Sequence, residues 1–378
     1  MAMKQSRKNK NTGLTGIIIS LTLLLAAVVL IVSASILILR DYQSSWTAEN
    51  SLEFRKPEQN SRSEADTGNT GAENPYKQIT ISFIGDCMLA SNHGFDGQNS
   101  FNLAADENDP KFFFEKVAQY FAEDDWTVAN CENVFTDEQL PETPKNYTPA
   151  YWYRSKAANA RIFTEGSVEI ISLANNHTDD YGSAGAEHTK KAIEAAGLEW
   201  GNDSKPLILE KYGIRIGLYM TTMYSEWYAN RIIDWLDEVK SETDYRIVYY
   251  HGGTERTYIP DSWRVRASKK LIDNGADLVI GVHPHVLQPI EYYNGKPIVN
   301  SLGNFIFGGS TRSDNRTIIY QIKLSVYEGE ILSIGENIIP CYEFVTVKSN
   351  WQPVPIESDD PAYKMIMEFL NGDAESPK

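Results

Sequence analysis

Apolar and polar positions alternate in short runs along most of this chain, and segments with helical periodicity separate these runs. In 78–85, Ile79, Ile81 and Phe83 alternate with polar residues, which is typical of a strand with one buried face. Strands and helices in regular alternation predict a layered α/β fold. Two late runs, 297–300 and 318–326, follow each other without a helix, so part of the sheet is expected to be antiparallel. The other predicted strands are 127–129, 168–174, 214–219, 246–250 and 277–280, and the predicted helices are 111–121, 185–196, 228–239, 263–274 and 362–370.

A long apolar segment near the N-terminus, 17–39, predicts a membrane anchor. At ~1.5 Å per residue it spans roughly 35 Å, enough to cross a bilayer. The basic segment 1–16 before it predicts a cytoplasmic N-terminus and an extracellular C-terminal body, hence a single-pass cell-membrane protein. A cleaved signal peptide is the alternative, but its apolar core usually has only about 7 to 15 residues. We therefore favour an uncleaved anchor in contact with the bilayer.

Composition divides the remaining chain into three parts. Residues 40–76 are rich in Ser, Asn, Glu and Gly, which predicts a flexible stalk. Residues 77–345 form the predicted folded domain, and 346–378 form a C-terminal extension. The hydrophobic content of 42% is ample for a packed core.

Charge and cysteine content exclude several classes of protein. Four basic residues give 1–16 a charge of +4, so the rest of this −16 chain carries −20. An acidic body argues against nucleic acid as a partner. The three cysteines cannot all pair within one chain and include no C-x-x-C spacing. We expect them to be buried thiols rather than disulfides.

Most side chains suited to metal binding stand in short clusters, each directly after an apolar run. The ends of strands converge on one rim of an open α/β sheet, so these clusters predict a metal-centred site. Mixed carboxylate, amide and imidazole ligands fit Mn, Fe or Zn better than calcium or a thiolate site. The clusters are Gly85-Asp86, Asn130-Cys131-Glu132, Asn175-Asn176-His177, His251 and His283-Pro284-His285.

The clusters differ in what each indicates alone. Asp86 by itself fits a metal ligand or a turn cap equally well. Glu255, four residues after His251, is expected to orient that imidazole or to bind substrate. Pro284 favours an extended backbone that keeps His283 and His285 near one side.

Metal-assisted hydrolysis is the leading reaction class for this set of residues. The chain contains no G-x-S-x-G elbow, no Walker A loop and no H-E-x-x-H motif.

With these clusters in view, the chain resembles the CapA family of capsule and poly-γ-glutamate synthesis proteins, a branch of the calcineurin-like metallophosphoesterase superfamily. Order and spacing agree from about Ile79 to Phe307. The matching strings are Phe83-Ile84-Gly85-Asp86, Asn130-Cys131-Glu132-Asn133, Ser172-Leu173-Ala174-Asn175-Asn176-His177 with Asp180-Tyr181-Gly182, Gly275-Ala276-Asp277, Gly281 to Ile290, and Ser301 to Phe307.

The resemblance implies a four-layer α/β/β/α sandwich with one or two divalent metal ions on one edge. One metal would be bound by a first ligand set, and a second by a set that shares Glu132. His177 would be the general acid or would stabilise the transition state, and Asp180 and Glu255 are the other candidate catalytic residues. The first set is Glu132, Asn176, His251 and His283; the second is Asp86, Glu132 and His285.

Three positions depart from the pattern that the resemblance implies. Met88 stands where the phosphoesterase pattern has a histidine, Ser91 where the family commonly has arginine, and Gly252 where it has tryptophan. Met88 is a poor ligand for a hard ion, so the second metal site is expected to be depleted. Loss of the arginine would remove a bidentate anion clamp from the rim.

Three functions follow from these features. The first is a membrane-anchored extracytoplasmic protein that acts in synthesis, export or release of an anionic surface polymer such as poly-γ-glutamate. The second is a non-catalytic scaffold that joins subunits of a membrane polymer synthase. The third is a general external metallophosphoesterase.

Overall fold

The computed structural model describes residues 75–377 except 96, 98, 310–313 and 347. The predicted basic segment 1–16 and anchor 17–39 lie outside the described residues, as does the predicted stalk up to residue 74. Among the residues that are described, no helix combines the length and the apolar character needed to span a bilayer.

Strands dominate the described part of the chain. Most are short, but β1, β15 and β16 are long and pair along most of their length. In chain order the strands are β1 (Tyr76–Met88), β2 (Ser91–Asn92), β3 (Trp126–Cys131), β4 (Val134–Phe135), β5 (Tyr153–Ser155), β6 (Ile170–Ser172), β7 (Glu199–Gly201), β8 (Leu207–Lys211), β9 (Ile214–Thr222), β10 (Tyr245–His251), β11 (Leu278–Val282), β12 (Leu287–Tyr293), β13 (Lys296–Leu302), β14 (Asn304–Phe307), β15 (Arg316–Tyr327), β16 (Glu330–Tyr342) and β17 (Val354–Pro355).

The helices begin at local signals in the sequence. Ser100 caps the first helix by accepting a hydrogen bond from the Leu103 amide, and Asp360 caps the last one before Pro361. The α-helices are α1 (Phe101–Glu107), α2 (Ala118–Ala122), α3 (Arg161–Glu165), α4 (Gly182–Ala195), α5 (Ala229–Val239), α6 (Ser262–Asp273) and α7 (Pro361–Leu370), and 3₁₀ turns span Pro110–Phe114, Ala157–Ala160 and Glu226–Tyr228.

The strands of the described region form three sheets. The first has the order β17-β16-β15-β1-β3-β6-β7, with β14 also paired to β1. The second has the order β12-β13-β11-β10-β9-β8, and a small third sheet has the order β2-β5-β4. β1, β3, β6 and β7 run parallel, as do β9, β10, β11 and β13, whereas β1 and β15 are antiparallel. The predicted mixed α/β sheet is thus confirmed.

Three apolar clusters define the layers. The cluster between the two large sheets combines residues of both, such as Ile81 and Leu218. The outer face of the first sheet packs against α1, α2, α3 and α4, for example through Phe163. The outer face of the second sheet packs against α5 and α6, for example through Trp235 and Leu271. The order of layers in the described region is helices, sheet, sheet, helices.

The predicted helix over 111–121 is wrong. The chain instead forms the 3₁₀ turn Pro110–Phe114 and the short helix α2. Phe113 and Phe114 are adjacent and both fully buried. Phe113, Val117 and Phe121 nevertheless belong to one buried core cluster, so the predicted apolar face is kept although the helix is interrupted.

The first strand also extends further than its pattern predicts. β1 does not stop at Asp86 but continues to Met88, because Asp86 pairs in parallel with Asn304 of β14. Cys87 and Cys131 are free and buried, as predicted, and Cys341 is also a free, buried thiol.

The C-terminal extension packs on the same body. β17 pairs with β16, and α7 adds Ile366 and Phe369 to the core between the sheets.

Gly85 allows the first sheet to approach the loop before β14. A Cβ atom at Gly85 would lie 1.9 Å from the carbonyl oxygen of Gly303, so the backbone would have to move. We expect Gly85→Ala to lower the free energy of unfolding by about 1–3 kcal/mol, measured by urea denaturation. Gly335→Ala is the matched control, because its nearest contact would be 3.9 Å away. Equal effects of the two substitutions would contradict this account.

Because of Glu169, we expect the folded protein to become less stable as pH rises. Burial raises its pKa to about 7, although its carboxylate accepts a hydrogen bond from the Thr127 amide. The folded protein therefore binds more protons than the unfolded chain between about pH 4.5 and 7, and stability is lost as pH rises through that window. Glu169→Gln keeps an acceptor for Thr127 without the charge. Urea denaturation at about pH 5 and about pH 8 should show a smaller loss for the variant; an unchanged pH dependence would exclude Glu169 as its source.

Candidate metal centre

The carboxyl ends of the parallel strands of both large sheets bring the predicted ligands together. Asp86 lies near the end of β1, Glu132 directly follows β3, and His251 is the last residue of β10. The Asn176 and His177 pair follows β6, and His283 with His285 follows β11. The two sheets thus each contribute part of one centre.

The first ligand set converges around Glu132. Glu132, His251 and His283 each offer a ligand atom, and these three atoms lie within 4.8 Å of one another. His251 Nε2 is 3.6 Å from Glu132 Oε1 and 2.7 Å from Asn176 Oδ1. All four residues of the predicted first set therefore lie at one point.

The second ligand set shares Glu132 with the first. Ligand atoms of Asp86, Glu132 and His285 also lie within 4.8 Å of one another. His285 Nδ1 is 3.3 Å from Asp86 Oδ2, and His285 Nε2 is 3.9 Å from Glu132 Oε1. Met88 supplies no ligand here, because its side chain belongs to a buried apolar cluster with Tyr153 and Phe307.

Unpaired buried atoms show that this donor set fits a divalent cation. Glu132 is fully buried, and neither of its carboxylate oxygens has a hydrogen-bond donor in the described structure. His283 Nδ1 is likewise buried without a partner there. Buried charge without pairing costs several kcal/mol, which a cation among these atoms would offset.

The electrostatics leave two of the ligands, Asp86 and His283, in the protonation states that a metal needs. Burial opposes ionisation of Asp86, but hydrogen bonding to and charge interaction with His251 and His285 hold its pKa well below the usual range. Burial, reinforced by His251 and His285, holds the pKa of His283 well below its usual range. Metal binding needs an ionised carboxylate and a neutral imidazole, and Asp86 and His283 meet these requirements. Burial, with the charge of Asp86, holds the pKa of Glu132 well above its usual value, so a cation would displace a proton there. Burial opposes the charged form of His285, but the charges of Glu132 and Asp86 raise its pKa to about 10, so metal binding there would displace a proton.

Two asparagines hold the carboxylate of Asp86 in place. Asn130 Nδ2 donates to Asp86 Oδ1 at 2.8 Å, and Asn175 Nδ2 donates to Asn130 Oδ1 at 3.1 Å and to the Cys131 carbonyl at 2.7 Å. Both asparagines belong to the sequence clusters, but their supporting role needed the tertiary contacts.

The predicted extended backbone around Pro284 is wrong. His283 and His285 have φ angles of +98° and +56°, in the region that residues with side chains rarely adopt. The conformation is held by the His283 amide, which donates to Asp86 Oδ2, and by the Arg256 amide, which donates to the Pro284 carbonyl. Strained backbone of this kind is concentrated at functional sites.

His177 lies in a hydrogen-bonded group beside the ligands. Its Nδ1 is 2.8 Å from Asp180 Oδ2, and Asp180 Oδ1 is 2.6 Å from Lys145 Nζ. The Tyr153 amide also donates to Asp180, and the Tyr153 ring packs edge-on against His177 at 4.9 Å. With Nδ1 engaged, Nε2 is the ring atom of His177 that can meet a substrate.

Glu255 lies at the rim of the candidate centre. Its exposed carboxylate groups with His283 and His285, with ligand atoms within 4.8 Å of one another. The structure explains why glycine stands at position 252. A Cβ atom there would lie 1.8 Å from the Met223 carbonyl oxygen.

Several residues that support the centre carried no clear signal in the sequence. Asn304 Oδ1 is 2.9 Å from His285 Nδ1, and only its position after β13 marks it. Arg264 is fully buried and donates to Tyr250, Gln288 and the Asn300 carbonyl, so it ties α6 to β10, β12 and β13. The position of Arg264 on a predicted helix does not indicate these contacts.

The fold and the site together define a two-sheet α/β protein with a buried histidine and carboxylate centre at the carboxyl ends of its strands. The family model described as "Bacterial capsule synthesis protein PGA_cap" matches residues 80–309. The chain belongs to this family.

Individual relatives are about a quarter identical to this chain over the aligned regions. The "PGA biosynthesis protein CapA" of Bacillus subtilis (strain 168) is 27% identical over 272 residues, which cover 65% of this chain and 68% of the relative. The "Capsule biosynthesis protein CapA" of Bacillus anthracis is 26% identical over 277 residues, 65% of this chain and 64% of the relative. The chain thus spans about two thirds of each relative's length. The crystal structure of TT1561 of Thermus thermophilus is similar with a TM-score of 0.37 and 11% identity, over 64% of this chain and 94% of that one.

Replacing Glu132 by glutamine should matter for stability mainly when metal is present. In the presence of a chelator burial keeps Glu132 protonated, so we expect Glu132→Gln to change the free energy of unfolding by less than about 1 kcal/mol, because one neutral polar group replaces another. With Mn²⁺ at about 100 times its Kd, the wild type should gain about 2.7 kcal/mol and the variant much less. Urea denaturation under both conditions measures this. Glu187→Gln, on the exposed face of α4, is the control, and an equal response of wild type and Glu132→Gln to Mn²⁺ would contradict a site at Glu132.

Proposed function

We propose that this chain acts in the synthesis, export or release of an anionic capsular polymer of the poly-γ-glutamate type, through a metal-dependent hydrolase-like site. The buried Glu132 carboxylate, without donors and surrounded by imidazoles, is the observation that carries the proposal. The names of the two Bacillus relatives support the choice of polymer.

The metal is proposed to be Mn, Fe or Zn, in one or two copies. Glu132, Asn176, His251 and His283 would hold the first ion. Glu132 with Asp86 and His285 would hold the second, less completely because Met88 contributes nothing. Such an ion would act as a Lewis acid toward a carbonyl or phosphoryl oxygen of the substrate.

His177 is the proposed proton donor to the leaving group. Asp180 holds its Nδ1, so the ring is fixed and Nε2 faces away from that carboxylate. Lys145 in turn fixes Asp180 from its other oxygen. Glu255, exposed beside His283 and His285, is placed to contact substrate at the rim.

The layer order supports a fold of the metallophosphoesterase type. Two sheets pack face to face between helices, and the candidate centre lies where the carboxyl ends of their parallel strands meet. The resemblance in sequence points to the same four-layer α/β/β/α sandwich.

We further propose a single-pass anchor over 17–39, with the folded body outside the cell. This body would then work beside the bilayer and the membrane subunits that make the polymer. Its charge of −20 beyond residue 16 would repel an anionic polymer at low salt, so a bound cation is needed for local attraction.

Polymer output of a cell that depends on this protein tests the proposal. We expect the pair Asn176→Ala and His283→Ala to lower output at least about tenfold, because two ligands of the first ion are lost. His177→Ala should lower output while metal content is kept, since it removes the proton donor alone. Glu187→Ala is the control, because that exposed side chain lies on α4 and pairs with Lys190.

Unchanged polymer output in the Asn176→Ala and His283→Ala pair, at normal protein levels, would contradict the metal-dependent part of the proposal. It would favour the non-catalytic scaffold, which Met88 and Ser91 support. Turnover of simple phosphodiesters with normal polymer output would instead favour a general external phosphoesterase.

A further inference from the structure

A polar cavity of about 550 Å³ lies against the small third sheet. Its volume falls in the range of about 300–1,000 Å³ that is typical of small-molecule sites. β2 and β5 form one wall, and the segment after β4 forms another. The residues that line it include Ser91, Asp137, Glu138, Arg154, Ser155 and Lys156.

The cavity lies close to the candidate metal centre. Ser91 is five residues beyond Asp86, and Thr136, which also lines the cavity, is four beyond Glu132. A chain spans at most ~3.6 Å per residue, so these Cα atoms lie within ~18 Å and ~14 Å of the two ligands. Tyr153, next to Arg154, contacts the His177 ring. One extended ligand can therefore reach both places.

Arg154 is the cation of this cavity whose charge is not neutralised. Its guanidinium donates to the Glu138 carbonyl and to Gln139 Oε1, which are both uncharged, and no carboxylate of the described residues lies within ion-pair distance. Lys156, by contrast, pairs with Asp106 at 2.5 Å.

The two acidic side chains of the cavity already have partners. Asp137 Oδ1 accepts a hydrogen bond from the Ala157 amide, and Glu138 Oε1 is 3.8 Å from His188 Nε2. They leave the positive charge of Arg154 free to act on a ligand.

Ser155 adds a buried donor without a partner. The residue is 5% exposed, and no group of the described structure hydrogen-bonds to its Oγ atom. A buried hydroxyl without a hydrogen-bond partner destabilises the folded protein unless a ligand supplies that partner. Arg154 and Ser155 both line this cavity.

Arg154 also lies opposite Ser91, the position where the resemblance leads one to expect arginine. Ser91 and Arg154 are direct partners in the antiparallel pairing of β2 and β5. Directly opposed residues have Cβ atoms about 4.5–5.5 Å apart. Both residues line the cavity, so the neighbouring strand supplies an arginine to the cavity that Ser91 lines.

We propose that this cavity binds a carboxylate of the substrate through Arg154 and Ser155. Each γ-linked glutamate leaves its α-carboxylate free, and a guanidinium binds a carboxylate through two parallel hydrogen bonds. The cavity holds such a unit while the neighbouring part of the chain lies at the metal centre. This inference rests on the proposed function and assigns to it the group that recognises the polymer.

Binding of a γ-linked glutamate trimer to the full-length, detergent-solubilised protein tests the assignment by isothermal titration calorimetry. Arg154→Gln should weaken binding at least about tenfold, because a charge-assisted contact is lost. Ser155→Ala should weaken it about threefold or more without lowering the melting temperature, since its hydroxyl has no partner to lose. Arg161→Gln is the matched control, because Arg161 pairs with Glu165 on α3, away from the cavity.

The metal-site variant Glu132→Gln separates this inference from the proposed function. It should lose metal yet keep measurable affinity for the trimer. Equal affinity of wild type and Arg154→Gln would overturn the cavity assignment, and loss of binding in Glu132→Gln alone would place the trimer on the metal instead. Inorganic phosphate that binds at Arg154 more tightly than the trimer would overturn the choice of a carboxylate.

Discussion

The burial of the Glu132 carboxyl group without hydrogen-bond donors is the constraint on which the candidate centre depends. A carboxylate with no donor, enclosed by His251 and His285, is unfavourable in a protein interior unless a cation joins it. Glu132 can therefore be protonated or ionised in the folded protein. Without a cation, burial favours the protonated form. Metal binding and stability are coupled through this single side chain.

Convergence of two sheets provides the site, and it has a structural cost. The first sheet supplies Asp86 and Glu132, while the second supplies His251 and the loop with His283 and His285. Bringing that loop over Asp86 requires left-handed backbone at both of its histidines. The amide of His283 donates to Asp86 and holds this conformation, so strain and ligand geometry support each other.

The proposed recognition and the proposed chemistry occupy neighbouring but separate places in this arrangement. The candidate metal centre is enclosed and lined by carboxyl groups and imidazoles, whereas the cavity beside the third sheet contains the unneutralised guanidinium of Arg154. An acidic protein that handles an anionic polymer needs local positive charge, and these two features would supply it from a metal ion and from a side chain. Short β2 and β5 matter here because their pairing places Arg154 opposite Ser91.

The sequence by itself determined the class of fold and most of the candidate ligands. Strand periodicity followed by a polar cluster is a local signal, so Asp86, Glu132 and His251 were identifiable without coordinates. The tertiary structure decided what depends on contacts distant in sequence: the support that Asn304 gives to His285, and the positive φ angles that replace an extended backbone around Pro284. It also decided that the helix predicted over 111–121 is divided into the 3₁₀ turn Pro110–Phe114 and the short helix Ala118–Ala122. Pairing between distant strands and competition for the core are not encoded in any local pattern.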